Sequence, residues 1–122
     1  MTYDLSDALD ALFDAFNDAR SDNWDGEQAR AVTPGALDMA AWFLLALPIG
    51  TPFPEVDASP SGGILLSWRS APRLRLSMTL TETGVISYAA LLGRDRQKGT
   101  ALFADVAPPS LMHLIRRVSA AS

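Results

Sequence analysis

His113 is the only histidine in this 122-residue chain, and there is no cysteine. Imidazole and thiolate are the side chains best suited to act as base or nucleophile near neutral pH, so such chemistry would have to pass through His113 or the carboxylates. Leu111, Leu114, Ile115 and Val118 form an i, i+3, i+4, i+7 apolar stripe. His113 lies about 150° from the middle of that stripe, on the side of Arg116 and Arg117, where no carboxylate orients it. No Ser-His-Asp set, glycine-rich phosphate loop or His-x-x-x-His pair accompanies it. The chain is expected not to be an enzyme, with no catalytic residue and no cofactor.

The carboxylates are concentrated. Asp4, Asp7, Asp10, Asp14, Asp18, Asp22, Asp25 and Glu27 precede residue 28 with Arg20 as the only base, giving net −7, whereas residues 28 to 122 carry net +3. The segment from Asp22 to Glu27 lacks the alternating oxygen ligands and distal bidentate Glu of a calcium loop, so no metal site is expected there. Asp7, Asp10, Asp14 and Asp18 instead share one side of a helix, within an arc of about 80°. A row of carboxylates suits docking onto a basic protein surface, by contacts that weaken with salt. As a solvated face it would only keep the chain soluble. Trp24, followed by Asp25, stands in the adjoining loop, either as a cap folded onto the core or as a binding centre for the partner.

The opposite charge collects later. Arg69, Arg73 and Arg75 flank an expected hairpin, and Arg94, Arg96 and Lys98 fall in an expected turn. If the fold makes these segments neighbours they form a basic patch, and the second functional reading is a nucleic-acid-binding accessory protein. The acidic amino-terminal segment and the lack of interleaved aromatic residues argue against nucleic acid as the ligand.

The elements that must position these groups follow from periodicity. Leu5, Leu9, Leu12, Phe13 and Phe16 define an amphipathic helix from about Asp4 to Arg20. Thr33 as N-cap, Pro34 at the first helical position and Pro48 at the end bracket a second helix, apolar nearly all round and expected to be covered on two sides. Period-two alternation then marks strands around residues 64–69 and 73–80, a third over 85–92, a fourth over 99–104 and an edge strand over 52–56. A helix after Pro108-Pro109 closes the chain. The expected fold is a single α+β domain over 1–122: two N-terminal helices, an antiparallel meander of four or five strands and a C-terminal helix, with the helices on one sheet face. With 48% apolar and 20% charged residues the composition is globular. No apolar run approaches the roughly 20 residues of a membrane span. The acidic start is unlike a secretory leader, and the expected location is cytoplasmic.

Asn23-Trp24-Asp25-Gly26, Ala29, Phe43-Leu44-Leu45-Ala46-Leu47-Pro48, Pro54-Glu55-Val56 and Gly63-Ile64-Leu65-Leu66-Ser67-Trp68 occur in that order. Over residues 20 to 92 this series resembles a group of short bacterial proteins with an Asn-Trp-Asp-Gly turn, a Leu-Pro-terminated helix and a Gly-x4-Trp strand. The resemblance implies a shared fold and regulation by protein contact, and it transfers no catalytic residue. The expected function is a small interaction protein that binds and regulates or inhibits another macromolecule through its acidic helix, in the manner of an antitoxin or a phage-derived, anti-CRISPR-like inhibitor of a defence nuclease. The expected partner is a protein with a basic surface, with no membrane involved. Homodimerisation through the sheet edge or the helix pair is compatible with this pattern.

Overall fold

A computed structural model of the chain describes residues 3–104 and 107–119. Three helices, α1 (Leu5–Asp18), α2 (Pro34–Ala46) and α3 (Pro109–Ser119), pack against five strands: β1 (Glu55–Ala58), β2 (Ile64–Ala71), β3 (Leu74–Leu80), β4 (Val85–Leu92) and β5 (Asp95–Leu102). The strands pair antiparallel in chain order, a meander. Among the described residues, no helix is long and apolar enough to cross a membrane.

The first helix starts at a reciprocal cap. The Asp4 carboxylate accepts from the Asp7 N–H and the Asp7 carboxylate accepts from the Asp4 N–H, satisfying two end donors. Ala8 and Leu12 are fully buried, so the small Ala8 sets how closely a neighbour approaches, while Leu5, Leu9 and Phe16 pack at the margins. Phe13 belongs to the expected apolar face but is 50% exposed. It sits at the edge of that face nearest Asp10 and Asp14, about 60° from Asp10.

Helix α2 begins as its sequence dictates, with the Thr33 hydroxyl accepting from the Ala36 N–H and Pro34 opening the first turn. The helix is not covered on two sides. Ala36, Ala40, Phe43 and Leu44 are buried, whereas Trp42 is 54% and Leu45 59% exposed on the side of Asp38. All helices occupy one layer, so the outer side of α2 has nothing to pack against. Phe43 meets Phe103 edge-on at 5.4 Å, a geometry favoured by aromatic quadrupoles.

In the sheet, one parity is buried. Ile64, Leu66 and Trp68 of β2, Leu76, Met78 and Leu80 of β3, and Ile86, Ala90 and Leu92 of β4 face the helices. The edge strand β1 runs over residues 55–58 and not 52–56. Pro54 has no N–H to donate, and the Pro52 carbonyl accepts from the Trp68 indole at 2.8 Å, so pairing begins at Glu55. The last strand is longer than expected: Asp95 to Lys98 pair with Leu92 to Ala89, which leaves Gly93-Arg94 as the turn. Arg96 and Lys98 are therefore strand residues, and Arg73 is a turn residue between β2 and β3.

The β3–β4 connection depends on Gly84, whose φ is 82°. A Cβ there would lie 2.6 Å from the Phe103 carbonyl oxygen, to which no flexible neighbour can yield. Gly84→Ala is expected to cost about 1–3 kcal/mol, lowering the urea midpoint with the slope unchanged. An unaltered midpoint would contradict this placement.

Candidate functional site

Two charged surfaces and one loop contain all the residues expected to bind a partner or nucleic acid. Asp7, Asp10, Asp14 and Asp18 are exposed along α1. The helix packs beside the edge strand β1, in which Val56 points into the core while Glu55 and Asp57 point to solvent. Tyr3, immediately before the α1 cap, feels acids of both elements. Its pKa is raised, first by partial burial and then by the negative charges of Asp7, Glu55 and Asp57. Glu55 and Asp57 were not among the expected site residues. Their signal is the acid-Val-acid alternation of a strand, which an edge strand expected over residues 52–56 obscures.

The loop after α1 folds on itself. Trp24 is half-buried against the core, and its indole N–H donates to the Arg30 carbonyl at 2.8 Å. One Asp25 carboxylate oxygen accepts from the N–H groups of Glu27 and Ala29, at 2.8 and 3.0 Å. Asp22 accepts from the Ala31 N–H and Asn23 from the Gln28 N–H. Asn23 and Gln28 hold left-handed backbone, with φ of 62° and 69°, and the Asx-type bonds offset part of that strain. The Val32 N–H then returns to the Ala19 carbonyl, tying the loop to the end of α1. Trp24 and Asp25, expected as partner-binding candidates, have here a structural task as a latch between α1 and α2.

The basic residues gather at one end of the uncovered sheet face. Register places Arg69 opposite Arg75, Arg75 opposite Leu91, and Leu91 opposite Arg96, one transverse row across four strands. Lys98 stands in the next row, opposite Ala89, which is opposite Ser77. Arg73 and Arg94 are at the tips of the two turns, joined where the Gly93 N–H donates to the Arg73 carbonyl at 2.7 Å. All six cations are exposed. A depression of about 460 Å³ lined by Arg75, Ser77, Ala89, Leu91, Arg96 and Lys98 lies between them.

No family model, curated protein or solved structure matches the chain. The surfaces must be read from their own chemistry. His113 is exposed on α3, and among the described residues no group of three or more His, Asp or Glu is placed to hold a metal ion. A separate apolar groove of about 460 Å³ runs between Trp42, Leu45 and Ala46 of α2 and Phe103 and Ala104. What the arrangement offers is charge in ordered rows.

Two outcomes follow from this geometry. Asp25→Ala strands two N–H donors and is expected to lower stability by about 1–2 kcal/mol in urea unfolding, while Asp14→Ala, exposed on α1, changes it by less than about 0.5 kcal/mol. Equal effects would refute the latch. Because the Tyr3 phenol is held neutral to higher pH in the folded chain than in the unfolded one, it contributes stability below the ordinary tyrosine range that is lost as pH rises through its raised pKa. Tyr3→Phe should flatten that alkaline loss, and Asp7→Asn should move the tyrosinate absorbance titration downward; an unmoved titration would separate Asp7 from Tyr3.

Proposed function

We propose that the protein is a non-catalytic interaction protein that binds and regulates or inhibits another macromolecule. The observation that supports this best is the ordered row of Asp7, Asp10, Asp14 and Asp18, exposed along α1 beside an edge strand that turns Glu55 and Asp57 to solvent. Helix and strand are rigid mounts, so the carboxylates meet a partner already spaced, and little side-chain ordering remains for binding to oppose. Steering by such a field favours a protein with a basic groove. The concrete form is an antitoxin-like or phage-derived, anti-CRISPR-like inhibitor whose carboxylates occupy a groove that otherwise takes nucleic acid. This agrees with the regulation by contact that the resemblance of the Asn23-Trp24-Asp25-Gly26 series implies. A reducing cytoplasm suits a chain without cysteine.

In this reading a homodimer would form through the exposed side of α2 at Trp42 and Leu45, because Asp95, Arg96 and Lys98 along β5 oppose strand-to-strand pairing. The acidic surface is tested by changing Asp7, Asp10, Asp14 and Asp18 together to Asn and repeating affinity capture from the host cytosol. Loss of the proteins that wild type retains at low salt and releases at high salt is expected. An identical captured set would refute docking through α1.

A further inference from the structure

The uncovered sheet face carries a second recognition surface, independent of the acidic one. We infer that the transverse row Arg69, Arg75 and Arg96, with Lys98 beside it, binds the sugar-phosphate backbone of a nucleic acid without reading its sequence.

Strands lie about 4.8 Å apart, so three spacings place Arg69 about 14 Å from Arg96, close to the length that four nucleotides of one B-form strand occupy. Guanidinium forks match phosphate oxygens in pairs. Within the row only Leu91 intervenes, and no acid does. Arg69 directly opposite Arg75 is a like-charge cross-strand pair, which weakens a sheet. A phosphate between the two removes that repulsion. Ser67, Ser77 and Ala89 keep the adjacent row low, so a backbone can settle into the depression, with the serine hydroxyls available as further donors to phosphate. Arg73 and Arg94 extend the positive potential over the linked turns.

The same face argues against an acidic protein as the ligand. Protein interfaces centre on desolvated aromatic or large apolar anchors, and here the depression offers Leu91 alone among arginines, lysine, glutamine, serine and alanines. Trp68 and Tyr88 belong to the opposite parity, with Trp68 buried and Tyr88 lying over Gly99. Phe53 and Trp68 line the cavity beside Arg69 and Arg75, but Phe53 is half-buried against the core and Trp68 is buried, so bases find no exposed ring along the row and recognition falls to phosphate. Glu55, in register with Ser67 and diagonal to Arg69, lines the same cavity as Arg69 and Arg75 and bounds the row on the β1 side. A strand of nucleic acid is thereby held to β2–β5.

Fluorescence anisotropy with a labelled mixed-sequence DNA duplex tests the inference. The logarithm of the association constant should fall linearly with the logarithm of KCl between about 50 and 200 mM, with a slope near −3, and a second duplex of scrambled sequence should bind equally. Arg75→Gln with Arg96→Gln should weaken binding at least tenfold and reduce the slope by about 2. Folding of that variant is checked by its thermal transition, which removal of a like-charge pair should leave in place or raise. Asp7, Asp10, Asp14 and Asp18 changed to Asn should not weaken DNA binding, so this surface and the acidic one fail separately. No binding by wild type at the lowest salt, no effect of the arginine changes in a folded variant, or equal displacement by polyglutamate would each overturn the assignment.

Discussion

Three helices cover one face of a five-stranded sheet, and side-chain alternation converts that single fact into the core and the surface at once. Successive residues of a strand point to opposite faces, so the register that stacks Leu66, Met78, Tyr88 and Gly99 toward the helices places Ser67, Ser77, Ala89 and Lys98 toward water. A slip by one residue would bring Ile64, Leu66, Leu76, Met78, Leu80 and Ile86 into solvent. Each of these apolar side chains is worth about 1.5–3 kcal/mol buried, and together they match or exceed the 5–15 kcal/mol by which whole domains are stable. The like-charge pair Arg69 and Arg75 costs only about 0.2–1 kcal/mol. Hydrophobic register therefore imposes the arginine row, and the repulsion within it is tolerated.

The same one-sided packing separates the charges. Helix α1, with its exposed aspartates, packs beside β1, the edge strand that turns Glu55 and Asp57 to solvent, while Arg69, Arg73, Arg75, Arg94, Arg96 and Lys98 lie toward the hairpin ends of β2–β3 and β4–β5. The net charge of −4 describes neither region. A molecule polarised in this way approaches a charged partner in a preferred orientation, and an assembly that presents both a basic protein groove and exposed phosphate is complementary to both ends. The latch around Trp24 ties the end of the acidic helix to the start of α2.

Much of this was legible in the sequence where local chemistry and packing agree. Thr33-Pro34 fix the start of α2, Pro48 marks its end to within one residue of Leu47, and the alternation in β2 and β3 identifies the buried parity. The aspartate stripe reads directly from a spacing of three and four. What escaped was governed by neighbours. The first half of β5, Asp95 to Lys98, looks like a charged turn because Asp95 and Gln97, its inward positions, lie at an edge where no helix demands apolar side chains. Trp42 and Leu45 looked buried because hydrophobicity alone does not say which side of a helix meets nothing, although Asp38 marked that side. The meeting of Arg69 and Arg75 with Arg96 needed the register of β5, and with it the conclusion that the cations form one row.

Everything above requires Ala89 and Ala90, adjacent in β4, to face opposite environments, exposed and buried. A chain without cysteine allows this to be measured by the reaction of single Ala89→Cys and Ala90→Cys variants with a disulfide reagent under native conditions. The one-sided sheet predicts that the thiol at 89 reacts as fast as one in the unfolded chain, and that the thiol at 90 reacts only as fast as the protein opens. Equal protection at both positions would show that the face bearing the arginine row is covered, and would contradict the account.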